Sequence, residues 1–198
     1  PPVIDGRLDE WAVEPSLHLG GTAADTIRIS DAYGGAADCS AAVRLQWDEQ
    51  ALYLGVTVTD NAHHQTESGS QIWRGDCIQL AFRNGPPAAA AGYDGTEHEL
   101  GLTLGPQGPE VFAWMPDQGI RTDIPLKVVR TGTETCYEAA VPWSALGVTG
   151  LRAGRRLAWS MTVNDHDGES FRGWLEWTPG ICGNKDASAF GWFEAVEP

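Results

Sequence analysis

The sequence predicts an all-β fold: a two-sheet antiparallel β-sandwich of the jelly-roll or immunoglobulin-like kind, with about ten strands in one domain over residues 1–198. Three observations predict it. Apolar residues recur with a period of two in short runs, the mark of strands with one buried face. Clusters of Gly, Pro, Asn and Asp separate the runs at roughly 10–20-residue intervals, as in sandwiches. The amphipathic helices that parallel βαβ units require between strands are absent. A length of 198 residues favours one large domain, and 42% hydrophobic against 20% charged residues fits a folded chain.

The runs follow in order. Val43, Leu45 and Trp47 share a face, and Asp48-Glu49-Gln50 turns the chain. Leu52, Leu54, Val56 and Val58 then share a face up to Thr59-Asp60, which completes a hairpin. Ile78, Leu80 and Phe82 alternate with Cys77, Gln79 and Ala81. His98, Leu100, Leu102 and Leu104 form the next run, and Val111 to Trp114 another. Lys127 to Thr131 passes through Gly132 into Cys136 to Val141. Leu157, Trp159, Met161 and Val163 alternate, and Trp174 to Trp177 and Gly191 to Val196 close the series. Pro142 to Gly147 reads as one helical turn, started by Pro and stopped by Gly. Gly34-Gly35-Ala36-Ala37 and Gly85 to Gly95 read as surface loops, the latter flexible.

Charge excludes several functions. With 13 Lys+Arg against 27 Asp+Glu, the net charge is -14, and only Lys127 and Lys185 are lysines. Nucleic-acid binding needs a basic footprint that displaces counterions from phosphate, and none exists here. Anionic membrane surfaces are disfavoured for the same reason, and no apolar stretch approaches the roughly 18 residues of a membrane span. The opening Pro1-Pro2-Val3-Ile4 has neither Met nor leader and reads as a trimmed or mature form. Cys39, Cys77, Cys136 and Cys182 form no C-x-x-C pair, which argues against zinc; they stand as two disulfides or as four thiols.

No nucleophile elbow, zinc-protease helix or phosphate loop occurs. Glu97-His98-Glu99 is the best acid pair: on a strand both carboxylates point to one face about 7 Å apart, suiting a glycosidase or simply a solvated face. His63-His64 reads as a solvated loop pair. For metal, Asp165-His166-Asp167-Gly168-Glu169 sets carboxylates around a Gly turn, and Asp60 and Asp76 lie at strand ends. Hard cations such as calcium want several such oxygens, although EF-hand spacing fails here; turn formation is the alternative role. Of nine Trp, Trp11, Trp47, Trp143 and Trp159 sit in apolar patterns and are expected in the core. Trp73 differs: between Gly69-Ser70-Gln71 and Arg74-Gly75-Asp76 it is a loop Trp among polar residues. That setting suits a pyranose, whose C–H face stacks on the indole while neighbours bind the hydroxyls.

Ordered motifs extend the reading. Ile4-Asp5-Gly6-Arg7-Leu8-Asp9-Glu10-Trp11 opens the chain. Trp47-Asp48 with Leu52-Tyr53, Val58-Thr59-Asp60, Trp73-Arg74-Gly75-Asp76, Tyr137 to Trp143 and Val163-Asn164-Asp165 follow, before the closing Lys185-Asp186 and Phe190-Gly191. Together these resemble carbohydrate-binding module family 9 and its DOMON-like relatives. The resemblance implies a non-catalytic sandwich with structural calcium, secreted or at the cell surface, usually linked to a polysaccharide-degrading catalytic domain. It also implies a slot for a terminal sugar between two Trp rings. Trp73 matches the first ring, and Gln79 matches a Glu that binds sugar hydroxyls. The second ring's position is Asn184 here, so Trp114 or Trp174 would have to supply the other wall. Asn164, Arg172, Asn184 and Lys185 are implied at the same end as hydrogen-bonding residues, with Lys185 and Arg172 also suited to an acidic sugar. Calcium would tie the loops at Asp60 and Asp165 to the sandwich, with Asp76 and Asp167 as further ligands.

Other readings remain at this point. Asn184 in place of a Trp fits a spacer sandwich without sugar binding. Related sandwiches hold haem between Met and His, and Met115 and Met161 are the available methionines.

Overall fold

The computed structural model describes residues 1–29, 33–149 and 151–196. Among the described residues there are twelve strands: β1 (Leu17–Gly20), β2 (Cys39–Trp47), β3 (Ala51–Asp60), β4 (Cys77–Arg83), β5 (Glu97–Gly105), β6 (Gly108–Met115), β7 (Gly119–Ile120), β8 (Leu126–Thr131), β9 (Glu134–Pro142), β10 (Arg156–His166), β11 (Phe171–Glu176) and β12 (Gly191–Glu194). Every pairing is antiparallel. One sheet runs β1-β2-β3-β9-β8; the other runs β11-β10-β4-β5-β6-β7, with β12 also paired to β10. The strands beyond the expected ten are β1 and β7, of four and two residues, too short for a period of two to register.

Alternation decides the core. Ile78, Leu80 and Phe82 of β4, Leu100 and Leu102 of β5, and Met161 and Val163 of β10 point at Val43, Leu54, Val56 and Tyr137 of the facing sheet. Trp143 and Trp159 lie in this core, as their patterns predict. Trp47 is only half-buried against it, and Trp11 belongs to a separate cluster. That cluster covers the outer face of the five-stranded sheet: the N-terminal segment lays Ile4, Leu8 and Trp11 over Ala51 and Tyr53. Glu138, fully buried on β9, fixes the segment by accepting the Asp5 and Gly6 N–H at 2.8 Å and the Trp11 Nε1–H at 2.9 Å.

The outer face of the seven-stranded sheet is covered as well. The Gly85-to-Gly95 loop is docked rather than free: Ala88 N–H donates to Ala187 O at 3.0 Å, and Tyr93 meets Phe190 edge-on at 5.9 Å. This cover explains why Glu97 and Glu99 do not sit on a solvated face. Both are buried, and Glu97 accepts hydrogen bonds from Arg83 and from the Asp94 and Gly95 N–H groups. The expected turn after Pro142 is the 3-10 helix Trp143–Leu146, ended by Gly147 at φ 62. The four cysteines are free thiols, which resolves the choice left by their spacing.

Candidate functional site

The docked loops leave part of that outer face open as a cleft of about 620 Å³. A 3-10 helix, Gly69–Arg74, precedes β4 and carries Trp73 at the rim, 41% exposed. The helix is held from below, where the Asn164 amide donates to Trp73 O at 2.7 Å. The Arg74 guanidinium lies 5.4 Å from the Trp73 ring centroid. Trp114 of β6 and Trp174 of β11 also line the cleft. Their indole N–H groups are committed, to Ser70 O at 3.1 Å and Glu176 Oε2 at 3.0 Å, which fixes the rings and leaves apolar faces. Trp114 is seated against Gly101 of β5: a Cβ there would come within 2.5 Å of its ring and 2.7 Å of Ile72. Phe171, 37% exposed, adds a further aromatic ring.

The floor is polar because the outward positions of β4, β5 and β10 converge there. Asn164 Nδ2 donates to Gln79 Oε1 at 3.2 Å, and Gln79 Nε2 lies 3.5 Å from Glu99 Oε1. Lys185 Nζ reaches the same Glu99 oxygen at 2.5 Å. Aromatic walls over hydrogen-bonding side chains suit a ligand with flat C–H faces and hydroxyl edges.

Most of the sugar-site expectations meet in this cleft: Trp73, Gln79, Trp114, Asn164, Trp174 and Lys185 all line it. Two do not. Arg172 is turned to the neighbouring acidic cluster, its Nε 3.0 Å from Asp167. Asn184 is exposed and stands outside the lining, between Gly183 and Lys185, which are in it. Trp114 and Trp174 supply the indole faces that Asn184 lacks. Phe171, isolated among polar residues, and Tyr93, in the loop between Gly85 and Gly95, also line the cleft, and neither carries a local sequence signal for it. Glu99, a catalytic candidate by its spacing from Glu97, lies in the cleft floor instead. Glu97 is not in the cleft, so the two carboxylates do not flank a common ligand. Among the described residues, Met115 lines the cleft but no histidine does, and Met161 is buried between the sheets, so the cleft offers no Met–His pair.

A second constellation lies where the two sheets meet. Asp60 ends β3, Asp76 precedes β4, and Asp165 and Asp167 lie at the end of β10. Asp60 belongs to two groups whose ligand atoms lie within 4.8 Å of one another: Asp60, Asp165 and Asp167, and Asp60, His63 and Asp76. Both oxygens of Asp165 and Oδ1 of Asp167 are buried without a hydrogen-bond partner. Burial, then the charges of Asp167, Asp60 and Asp38, pushes Asp165 up to about 7. Burial, opposed by the His64 backbone N–H and reinforced by Asp60 and Asp165, pushes Asp76 up to about 8. The His63 ring, by contrast, is held below its usual range by burial. Unpartnered buried carboxylate oxygens are costly, and a hard cation satisfies them with the donor type that calcium prefers. The residues therefore fit the ion. Asp60 thus joins Asp165 and Asp167 on one side and His63 and Asp76 on the other.

Fold and cleft define a sugar-binding type of β-sandwich: aromatic faces over a polar floor on an otherwise covered sheet. A family model described as "Carbohydrate family 9 binding domain-like" matches residues 4–197, and the chain belongs to that family, carbohydrate-binding module family 9. It is thus a non-catalytic carbohydrate-binding module. No curated protein matches the sequence. Among solved structures, a family 9 module from Caldicellulosiruptor kristjanssonii in complex with glucose is similar at 17% identity and a TM-score of 0.72, covering 100% of this chain and 93% of that one. The same organism's module with cellotriose gives 18% and 0.73, covering 100% and 91%. A putative carbohydrate-binding protein from Bacteroides uniformis gives 12% and 0.58, covering 79% and 78%. At these identities the likeness is one of fold.

Proposed function

We propose that the cleft lined by Trp73, Trp114, Trp174 and Phe171 is this module's saccharide site, and that it takes a glucose-based chain. The carrying observation is the convergence of three indoles and one phenyl ring over the Gln79–Asn164–Glu99–Lys185 floor. Family membership and the glucose and cellotriose complexes of the similar modules support it. A pyranose with equatorial hydroxyls offers C–H faces to such walls and hydroxyl edges to such a floor. Titration with glucose and cellotriose, followed by Trp fluorescence and calorimetry, tests it; no response at millimolar sugar would remove the proposal. Trp73→Ala should weaken binding by about 30-fold, the effect of a hot-spot aromatic worth about 2 kcal/mol. Folding should be little affected, since the ring is 41% exposed.

We propose further that the Asp60–Asp76–Asp165–Asp167 cluster is a structural calcium site. A cation there would bridge β3 of one sheet to β10 of the other, and its charge would remove the mutual repulsion of the carboxylates. Beyond the module, the reading extends to a secreted or cell-surface protein in which this chain tethers a linked polysaccharide-degrading domain to its substrate. A longer natural chain carrying an export signal and a glycan-cleaving domain would support that context; a cytoplasmic chain without one would remove it.

A further inference from the structure

The cleft floor contains a feature that the saccharide reading alone does not use. Glu99 is 1% exposed, yet its two oxygens are treated differently. Oε1 is held by Lys185 Nζ at 2.5 Å, with Gln79 Nε2 at 3.5 Å, while Oε2 is buried with no hydrogen-bond partner. The Tyr93 hydroxyl also lines the cleft, buried beside Glu99 but without well-formed hydrogen-bond geometry to it. Burial, then the Glu99 charge and the polar contact between the two side chains, push the Tyr93 pKa up, so it stays a neutral O–H. A buried carboxylate oxygen without a donor costs free energy that a ligand can recover. What it accepts is a donor. A hydroxyl qualifies; an ionised carboxylate, which only accepts, does not.

Charge points the same way. Among the described residues that line the cleft, Lys185 is the one cationic side chain, and it is already committed to Glu99. Two guanidinium groups are paired with carboxylates, Arg172 with Asp167 and Arg28 with Glu176, while Arg74 lies outside the lining, over the Trp73 ring at the rim. A ligand carboxylate would meet a floor whose cation is neutralised, in a chain of net charge -14. We propose that Glu99 and Lys185 together form a charge filter in the cleft, admitting neutral saccharides whose hydroxyl donates to Glu99 Oε2 and turning away uronates. This sets aside the acidic sugar that Lys185 and Arg172 suggest from sequence. It rests on the saccharide reading above.

The test uses three ligands that differ only at one carbon: glucose, glucuronate and the methyl ester of glucuronate. Titrated into the whole chain, glucuronate should bind at least about tenfold more weakly than the other two, and the ester should match glucose within a few-fold. Glu99→Gln preserves shape, removes the negative charge and releases Lys185; the gap between glucuronate and glucose should close by about tenfold. Lys185→Gln should widen it. Should Glu99→Gln fail to fold, the three wild-type titrations and Lys185→Gln still decide. Glucuronate binding as tightly as glucose, or a gap indifferent to both substitutions, overturns the charge filter alone. If neither glucose nor cellotriose binds, the saccharide reading and this inference fall together.

Discussion

Stripping divalent cations from the protein and raising the pH from about 6.5 to about 8.5 should destabilise it, because Asp165 and Asp76 are forced to ionise side by side. Burial and neighbouring carboxylates place Asp165 at about 7 and Asp76 at about 8 in the folded chain. Both lie above the unfolded value near 3.9. For a carboxyl raised by folding, the native state holds more protons than the unfolded state between the two values, so stability falls as pH rises. The stabilising protonation is complete below the unfolded value and is lost through pH 7 to 8. Histidine works in the opposite sense at lower pH, since burial keeps His63 and His166 neutral, so stability would rise towards their unfolded value near 6.5. In the window above about 6.5 the aspartates dominate, and the buried thiols of Cys39, Cys77, Cys136 and Cys182, raised by burial, add to the same fall only near its upper end. Integrating both carboxyls across it gives a loss of about 2–3 kcal/mol. Urea denaturation of metal-free protein, followed by Trp fluorescence across that window, measures it. Added calcium should remove the slope and raise stability at every pH in the window, and Asp165→Asn should flatten the metal-free curve and abolish the calcium response. A metal-free curve that is level or rising, or a full calcium response in Asp165→Asn, would refute the argument.

Further outcomes follow from other contacts. Gly101→Ala should overpack Trp114 and Ile72, whose atoms lie 2.5–2.7 Å from the added Cβ. The cost is about 1–3 kcal/mol by thermal unfolding, with weaker cellotriose binding because the indole must move. Glu138→Ala should cost about 2–4 kcal/mol by removing the acceptor of three hydrogen bonds. Its folded fraction should bind sugar normally, since that cluster covers the opposite sheet. Phe171→Ala should weaken cellotriose more than glucose in paired titrations if the exposed ring serves a second sugar unit.

The sequence by itself determined the strands, because alternation is a local property: Ile78, Leu80 and Phe82 face inward whatever covers their other side. It also singled out Trp73, whose polar flanks left it no core to enter, and the aspartates at strand ends. What covers the outer faces was decided only by tertiary structure. Glu97 and Glu99 read as solvated because nothing local announces that the loop around Tyr93 docks on Phe190 above them. Arg172 and Asn184 have the chemistry of sugar-binding residues, yet direction settles their roles: one turns to Asp167, and the other lies outside the cleft lining. Trp114 owes its place in the cleft to Gly101 on the adjacent strand, a contact that exists only once β5 and β6 pair, with Trp114 at the irregularity opposite Glu99 and Leu100. Asp60 and Asp165 are brought together by the packing of two sheets, and their perturbed protonation arises from that proximity and burial. Side-chain period is set within a few residues of chain, whereas burial, charge coupling and the shape of a cleft depend on segments far apart in sequence.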